Sequence, residues 1–561
     1  MAMFSSLLAH PPAPAPVVLD DVRWQMLGSG LLVITAAGTV YCFGAFSGEI
    51  KSELGLSQSE LEIAALCWTL GNYVGVAGFF FDRFGAVKAT YVGATLMGTG
   101  YGGLWLLLRH AAEWKGRQEG FGLVLLCCFI YGHGSSYLDV ATIATVVRAF
   151  PNHRGAVVGL LKSGYGLSSS LVVLFAGYVV SQQSFVAVLA LVSCGLAASG
   201  ARHLSGGGAV KANFRPRDSA AVHLAASRRI DRATLRVLAV AAVVLAVAVA
   251  RVLAPDFWKL GWPNVGASLL AASMLAWQLT VLRDGPKAET DDGASLESPM
   301  LGDSSAQYGD AAEAEAPAKM LAGTVDSSPK ETLRRPEYWL DMCATFPAAG
   351  MGLLVINNLA QIMSARGAST ATQKVAVSLV SVANCLGRLL TGRLADAVVK
   401  RHLPRPVLLA VANLGGCAAM ALMYASEGVG AAFCGILIAG LFYGMLWTLI
   451  PTLVADLFGE RNFGSNYALC LPAVIAGSVF FSTYLAGETY AAHSQAPADD
   501  GAAECHGRGC FGDAFLGSAI SCAAGAAAAV ALAWKSRNLY AAPLADAALY
   551  DTGEHCQREV Y

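Results

Sequence analysis

The sequence predicts an all-α membrane protein of about fourteen transmembrane helices, arranged as two six-helix bundles with an additional two-helix hairpin. Three observations lead to this prediction. Of the 561 residues, 55% are hydrophobic and only 14% are charged, whereas soluble chains carry roughly 25% charged residues. Apolar segments long enough to cross a bilayer, about 20 residues each, recur along the whole chain. Short motifs of the first half also return in the second half at a nearly constant interval.

The first half of the chain contains six apolar segments within residues 24–203. They start near Trp24, Glu60, Val87, Gly120, Arg154 and Ser184. Residues 1–23 lack the basic start and long apolar middle of a secretory signal, so we expect a cytosolic tail there. Residues 204–234 are rich in arginine and are predicted to form a basic cytosolic loop. Residues 235–282 contain two further apolar segments, which predict the extra transmembrane hairpin.

The second half begins with a polar stretch, residues 283–335, that is rich in Ala, Gly, Ser, Asp and Glu. Such a composition cannot bury enough apolar area to fold alone, so we predict a disordered acidic linker. Residues 336–535 then provide the second six-helix bundle. Its apolar segments start near Trp339, Gln373, Pro406, Val429, Asn462 and Asp513. We expect residues 536–561 to form a second cytosolic tail.

Lysine and arginine are concentrated in the loops of one side of this topology. Because cytosolic loops of membrane proteins carry an excess of these residues, we expect that side, the linker and both termini to be cytosolic. The sequence predicts a multi-pass membrane protein, and it does not distinguish the plasma membrane from an internal one.

The two halves echo each other in the loop that follows their second segment. Gly78 and Asp82 stand there in the first half, and Gly392 and Asp396 stand at the corresponding place in the second. Two similar helix bundles related by an axis along the membrane normal are built for alternating access, in which one bundle rocks against the other around a central site.

These loops also carry a family resemblance. The stretch "GFFFDRFGAVK" resembles the signature G-x-x-x-D-R-x-G-[RK]-[RK] of the major facilitator superfamily, and "GRLLTGRLADAVVKR" resembles its second-half copy. The stretches "GLLVINNLAQI", "FYGMLWTLIPTLVADLFGERNFGSNYALCLP" and "CHGRGCF" are similar to the nodulin-like branch of that superfamily, which is common in plants and algae. The resemblance implies the major facilitator fold and a membrane carrier for a small solute.

On this resemblance the two motif loops form a gating latch at the cytosolic end. An aspartate at a helix end can pair with arginine or accept hydrogen bonds from the N-terminus of a facing helix. The alternative is a topology signal combined with a tight turn. The residues assigned to the latch are Gly78, Asp82, Arg83, Lys88, Gly392, Asp396 and Arg388.

Two opposite charges lie inside apolar segments of the first half. Asp139 precedes Phe150 by 11 residues and Lys162 follows Pro151 by 11 residues. At about 1.5 Å per residue both lie about 16 Å from the cytosolic surface, near the middle of a core about 30 Å thick. We expect them to contact each other or to share one aqueous cavity, since charges at mid-membrane face the bundle interior. Three interpretations stay open: a substrate and proton site, a permanent structural pair, or one charge reaching elsewhere.

Other polar and aromatic side chains are candidates for the same cavity. Amides on an apolar helix also serve as hydrogen-bonding contacts between helices. A lone histidine is equally compatible with packing, and the aromatic residues with the hydrophobic core. The candidates are Tyr41, Tyr131, His133, Asn357, Asn358, Gln361, Tyr443 and Trp447.

Cys505 and Cys510 form a close pair in a polar loop on the side opposite the cytosol. We predict a disulfide there, because that side is oxidising in secretory compartments and at the cell surface. We expect no metal site and no cofactor.

The chain has no Walker-type phosphate loop and no cluster of catalytic residues, so we expect neither an ATP-driven pump nor an enzyme. The sequence predicts a secondary active or facilitative transporter of a small polar solute. An organic anion or an amino acid is favoured because of Lys162, and a coupled proton is left open. A non-transporting receptor built on a transporter fold is the alternative. We expect a monomer in the lipid bilayer, and the net charge of −1 does not favour nucleic acid as a partner.

Overall fold

Helices form almost all of the computed structural model, which describes residues 16–175, 181–206, 220–254, 326–494 and 505–541, together with 257, 263–266, 269 and 273. The first half contains α1 (Pro16–Ala37), α2 (Phe43–Leu54), α3 (Gln58–Tyr73), α4 (Val76–Phe84), α5 (Ala86–Arg109), α6 (Ala111–Trp114), α7 (Gln118–Ala149), α8 (Arg154–Phe175) and α9 (Gln182–Ala201). A 3₁₀ turn, Gly38–Cys42, joins α1 to α2.

The second half follows a long helix, α10 (Ala220–Leu253). It contains α11 (Pro329–Arg334), α12 (Pro336–Asn357), α13 (Leu359–Ala365), α14 (Thr370–Lys400), α15 (Pro406–Ala425), α16 (Val429–Phe458), α17 (Phe463–Gly477), α18 (Ala486–His493) and α19 (Gly512–Ala541). A π-helical segment, Ser478–Leu485, connects α17 to α18.

Eleven helices in the described part of the chain are long and apolar enough to cross a membrane. They account for eleven of the fourteen predicted crossings. The other three predicted crossings correspond to α5, to residues 235–254 and to residues 264–282. Helix α5 is long enough, with 24 residues, and packs between α7 and α9. Most of residues 264–282 lie outside the described residues.

Helix breaks occur where the sequence provides the chemistry for them. Ser57 and Glu60 form a capping box at the start of α3, in which each residue satisfies a backbone or side-chain donor of the other. Gly75, with a φ of +85°, separates α3 from α4. A residue with a side chain would be strained in that left-handed conformation.

Two helix pairs form the most extensive contacts between the two halves. Helix α8 of the first half packs along α14 of the second, and α4 packs along α17. Both contacts are close because glycines face each other. A Cβ atom on Gly78 would lie 2.0 Å from the carbonyl oxygen of Gly464, and one on Gly155 would lie 2.5 Å from that of Gly392. We call the end of the molecule that holds the α7–α8, α14–α15 and α16–α17 connections the basic end.

The predicted basic loop is partly helical. Residues 220–234 belong to α10, which packs against α8 and α14. Two of its polar residues make specific contacts: the guanidinium of Arg229 lies 4.4 Å from the ring centroid of Trp24, and Asp231 forms an ion pair with Arg393. These tertiary contacts give the arginine-rich segment partners that its composition does not reveal.

The end of the predicted disordered linker is also ordered. The Asp326 carboxylate accepts hydrogen bonds from the backbone N–H groups of Glu460 and Arg461, at 2.9 and 3.2 Å. Ser328 and Glu331 form a capping box at the start of α11, and these hydrogen bonds hold the pKa of Glu331 below its usual value. Residues 326–335 are therefore docked on the α16–α17 connection. The composition of residues 283–335 gives only the average polarity of that segment, so it does not reveal an ordered end. Similarly, residues 536–541 extend α19 rather than starting a tail.

Candidate functional site

The centre of the molecule holds the two charges that the sequence singles out. Asp139 on α7 and Lys162 on α8 are both buried. The ammonium Nζ of Lys162 donates to both carboxylate oxygens of Asp139, at 2.7 and 2.8 Å. Because α7 and α8 are antiparallel and joined by a short turn, equal distance from the turn brings the two residues to the same depth.

The second half completes this ion pair. The hydroxyl of Tyr467, on α17, lies 3.0 Å from Nζ of Lys162 and 3.0 Å from Oδ2 of Asp139. The ammonium also lies 5.3 Å from the ring of Trp447, on α16. Aromatic faces attract cations, so both halves of the protein contact the same charge.

A small cavity adjoins the pair at the boundary between the halves. Trp447 stacks on Tyr73 of the first half, with ring centroids 5.5 Å apart and an interplanar angle of 23°. The lining is polar and aromatic and includes both members of the ion pair. Its residues are Tyr41, Asn72, Tyr73, Ser136, Asp139, Lys162, Tyr165, Arg388, Trp447 and Leu471.

Arg388 lines this cavity instead of taking part in the predicted latch. It is 1% exposed. Its Nε donates to Oδ1 of Asn384 at 2.7 Å, and its Nη1 donates to the backbone carbonyl of Lys162. Its Nη2 has no hydrogen-bond partner among the described residues. The physical reason is distance: Arg388 precedes Asp396 by eight residues, which is about 12 Å along a helix.

Two predicted aromatic candidates lie at the cavity and one lies behind it. Tyr41 contacts Tyr165 edge-on, with ring centroids 5.3 Å apart, and both line the cavity with Trp447. Tyr443 is buried next to Trp447, at 6.0 Å between centroids, and does not line the cavity. Tyr443 packs against Gly352 of α12, which is a core contact between helices.

Tyr131 and His133 lie away from the cavity, within the first half. The ring of Tyr131 stacks on Tyr101 at 4.5 Å. The imidazole Nδ1 of His133 lies 3.0 Å from the backbone carbonyl of Gly71 on α3. Both residues therefore connect helices of one bundle, which is the packing interpretation of His133.

The three amides of the second half also lie away from the cavity. The side-chain amide of Asn357 donates to the hydroxyl of Ser482 at 2.9 Å. That of Asn358 donates to the backbone carbonyls of Leu354 and Ser482 at 3.0 and 3.2 Å. Gln361 is half-buried and does not line the cavity either. These contacts join α12 to the π-helical segment, as interhelical hydrogen bonds do.

The two latch aspartates make reciprocal contacts between the halves at the basic end. Asp82, in the first half, accepts hydrogen bonds from the backbone N–H groups of Gly464 and Ser465 at 3.1 and 2.6 Å. These amides belong to the first turn of α17 in the second half. A carboxylate at that position satisfies donors that have no partner within their own helix and interacts favourably with the helix dipole.

The second-half copy does the same to the first half. Asp396 accepts hydrogen bonds from the backbone N–H groups of Gly155 and Ala156, in the first turn of α8, at 2.8 and 2.9 Å. The guanidinium of Arg405 lies 3.2 Å from the same carboxylate and also pairs with Asp456. Gly78 and Gly392 provide the close backbone approach that these bonds require.

The two basic residues of the first motif do not join this contact. The charged groups of Arg83 and Lys88 lie 5.5 and 5.9 Å from the ring of Phe84. The cation that approaches Asp82 is Arg148, at 4.0 Å. Arg148 also donates to the backbone carbonyl of Glu460 at 2.6 Å, so it bridges the halves beside the latch.

Cys505 and Cys510 are joined by a disulfide, at the end of the molecule opposite the basic end. Both cysteines are buried. The backbone N–H of Gly507, between them, donates to the carbonyl of Ala365 at 2.8 Å. The disulfide loop is therefore docked on the end of α13.

Sequence reasoning missed Tyr467, Tyr73 and Tyr165, because an aromatic residue in an apolar helix carries no signal of its orientation. Arg388 did carry a signal. The depth argument used for Lys162 also places Arg388 about 12 Å inside the membrane from Asp396, and a cation at that depth marks a pathway or a partner.

Known proteins resemble this chain along both halves. The family model described as Nodulin-like matches residues 23–202, and the one described as NFD4, C-terminal domain matches residues 324–542. The chain is 25% identical to Protein NUCLEAR FUSION DEFECTIVE 4 of Arabidopsis thaliana over 515 residues, which cover 88% of this chain and 85% of the relative. It is 22% identical to the uncharacterized MFS-type transporter YhjX of Escherichia coli K12 over 477 residues, covering 83% and 88%.

Among solved structures, the proton:xylose symporter XylE of the major facilitator superfamily superposes with a TM-score of 0.52. The match covers 92% of this chain and 95% of XylE at 14% identity. At this identity the likeness concerns the fold alone.

Proposed function

This chain belongs to the nodulin-like branch of the major facilitator superfamily, and from that membership and the central cavity we propose that it carries a small organic anion across the membrane by alternating access. It is a multi-pass membrane protein of a transporter family. The substrate class is the new part of the proposal and depends on the charges of the cavity.

The observation that carries the proposal is the excess of positive charge in the cavity. Lys162 and Arg388 provide two cations, and Asp139 provides one carboxylate. The Nη2 donor of Arg388 is buried and has no hydrogen-bond partner among the described residues. A buried charged donor without a partner is costly, and a carboxylate is the group that arginine binds best. The single net positive charge supports a monovalent anion over a zwitterionic amino acid.

The ion pair gives the site a second element of recognition. A carboxylate that enters beside Arg388 would compete with Asp139 for the ammonium of Lys162. In that exchange Tyr467 keeps a hydrogen-bond partner on either side, since its hydroxyl contacts both members of the pair. The rings of Tyr73 and Trp447 would contact the apolar part of the solute.

Alternating access requires gates, and the reciprocal aspartate contacts are suited to be one of them. We place the basic end in the cytosol because its loops carry the lysine and arginine excess. The contacts of Asp82 and Asp396 with the facing helix N-termini support a closed state of this proposed gate. Opening it would release the first turns of α8 and α17, which lead directly to Lys162 and Tyr467.

Reconstitution of the purified protein in proteoliposomes tests this function. We expect uptake of radiolabelled pyruvate, used as a monovalent organic anion, and inhibition of that uptake by excess unlabelled L-lactate. Radiolabelled succinate, alanine and glucose represent dianions, zwitterions and neutral sugars. Uptake of alanine or glucose that is indifferent to both monoanions would contradict the proposal.

Replacing Arg388 tests the anion site directly. We expect Arg388→Gln to raise the KM for pyruvate roughly tenfold or more, because a hydrogen bond to a charged group contributes about 1.5–3 kcal/mol. Arg388→Lys should retain part of the affinity, since it keeps the charge and loses the planar fork. The matched control is Arg393→Gln on the same helix, where the arginine pairs with Asp231 on α10. An unchanged KM in Arg388→Gln would remove Arg388 from the site.

A further inference from the structure

One buried carboxyl group of the second half lies away from the cavity and differs from the other buried carboxylates in its partners. Asp341 lies on α12 and is 1% exposed. Neither of its carboxyl oxygens has a hydrogen-bond partner in the part of the chain that the structure describes. Asp139, Asp396 and Asp456 are also buried carboxylates, but each of them pairs with a lysine or an arginine.

Among the residues that the structure describes, no cation interacts with Asp341. The titratable groups that interact with it are the thiol of Cys470, on α17, and the phenol of Tyr338, on its own helix. Helices α11, α15, α16 and α19 and the π-helical segment also pack against α12. No described titratable group on these elements interacts with Asp341. One turn further along α12, the hydroxyl of Thr345 has no hydrogen-bond partner among the described residues either.

The nearest arginines along the sequence and at the basic end are engaged elsewhere. Arg335 donates to the hydroxyl of Ser327 and to the carbonyl of Leu457, at 3.1 and 2.7 Å. Arg405 pairs with Asp396 and Asp456. An ionised carboxylate that is buried in a membrane without a cation costs several kcal/mol, and such a group becomes neutral instead. Burial without a nearby cation therefore favours the neutral, protonated form of Asp341.

The position of Asp341 connects that proton to the gate. Helix α17 covers it with Cys470, and the same helix begins with Gly464 and Ser465, which bond to Asp82. Tyr467, between these positions, contacts the central ion pair. A movement of α17 that breaks the latch would therefore expose Asp341 and alter the contacts of Lys162 at the same time.

We propose that Asp341 is the proton-binding site of the transporter, loaded while α17 is closed over it and released to water at the basic end when the latch opens. The inference rests on the proposed transport function and adds the coupled ion. Only a proton moves: it leaves the carboxyl oxygen for water at the basic end, and after α17 has closed again the carboxylate takes up another proton from the opposite side of the membrane. One proton and one monovalent anion carry no net charge, so transport is expected to respond to a pH gradient and not to a membrane potential.

The experiment compares wild type with Asp341→Asn in proteoliposomes, with pyruvate as the probe. In the wild type, an inwardly directed proton gradient should drive pyruvate accumulation, and a potassium diffusion potential without a pH gradient should not. Asp341→Asn should lose the gradient-driven accumulation and retain exchange of external labelled pyruvate for internal unlabelled pyruvate. Asp513→Asn, an exposed carboxyl in the first turn of α19, serves as the matched control and should behave like wild type.

Two measurements separate this inference from the transport function. Infrared spectra in detergent at neutral pH should show the carbonyl band of a protonated carboxylic acid in wild type, and Asp341→Asn should lack that band. The melting temperature of Asp341→Leu should equal or exceed that of wild type, because a neutral carboxyl whose polar neighbour is the weakly donating thiol of Cys470 contributes little that leucine cannot replace.

The outcomes are distinct. Retained proton-driven accumulation in Asp341→Asn, or an infrared band that does not depend on Asp341, would overturn the inference while pyruvate transport still stands. Absence of pyruvate uptake and exchange in wild type would overturn the proposed function. In that case an infrared band that depends on Asp341 would still establish the proton site. A lower melting temperature in both Asp341→Leu and the near-isosteric Asp341→Asn would indicate that the carboxyl has a charged partner, and it would also refute the inference.

Discussion

Lys162→Ala is expected to abolish pyruvate uptake. The ammonium of Lys162 connects the other residues of the site, since it bonds to Asp139 and Tyr467 and lies over the ring of Trp447. Its removal deletes one of the two cations of the cavity and leaves the carboxylate of Asp139 buried without a cation, with the hydroxyl of Tyr467 as its remaining hydrogen-bond donor. Breaking a buried pair in this way costs about 3–5 kcal/mol, so both folding and transport must be measured, by size-exclusion chromatography, thermal unfolding and uptake.

A double variant distinguishes a substrate site from a structural pair. Lys162→Met combined with Asp139→Asn removes both charges, retains similar volumes and leaves Tyr467 an amide as a hydrogen-bond partner. If the pair only holds α7 against α8, the double variant should fold and transport pyruvate. If Lys162 binds the anion, the double variant should fold and remain inactive. Recovery of uptake in the double variant would therefore contradict our assignment of Lys162 to the solute.

Removing a latch aspartate is expected to loosen the helix N-terminus that it contacts in the opposite half. Asp396→Ala deletes the acceptor for the N–H groups of Gly155 and Ala156 and one of the two acidic partners of Arg405. Hydrogen bonds to a charged group contribute about 1.5–3 kcal/mol each, so amide exchange in the first turn of α8 should accelerate roughly tenfold or more. Asp82→Ala should have the reciprocal effect on α17 and leave α8 largely unchanged.

Hydrogen–deuterium exchange followed by mass spectrometry measures both effects in the same protein preparation. The relevant peptides cover residues 154–161 and 463–470. The control is Glu53→Ala, an exposed residue of α2 near the opposite end, which should change neither peptide. If each aspartate protected only its own half, or if neither variant changed exchange, the carboxylates would be topology signals and not a latch.

The latch and the cavity are mechanically connected through two helices. Helix α8 begins at the contact with Asp396 and carries Lys162, and α17 begins at the contact with Asp82 and carries Tyr467. About 12 Å of helix separates Arg154, at the start of α8, from Lys162. A rigid helix transmits a shift over that distance, so a gate opening at the basic end reaches the ion pair without an intervening hinge.

The amino-acid sequence by itself indicated that the protein lies in a lipid bilayer, that its two halves repeat each other, and how deep the central charges lie. These properties depend on local quantities: apolar runs of membrane-spanning length, motifs at a constant interval, and a count of residues from a turn. The depth count placed Asp139 and Lys162 at the same level, and the structure brings them within 2.8 Å. The same count along α14, starting from Asp396, also places Arg388 deep in the membrane.

The tertiary structure decided which polar residues face each other. A helix has several faces, and the sequence does not state which face a neighbouring helix covers. For this reason Asn357, Asn358, Tyr131 and His133 proved to contact neighbours within their own half, while Tyr467 came to the centre. The same limit applies to composition: residues 326–335 and 220–234 are polar on average and are nevertheless held by partners that are distant in the chain. The packing of distant helices around α12, which the local sequence does not specify, also buries Asp341 with no cation among the described residues beside it.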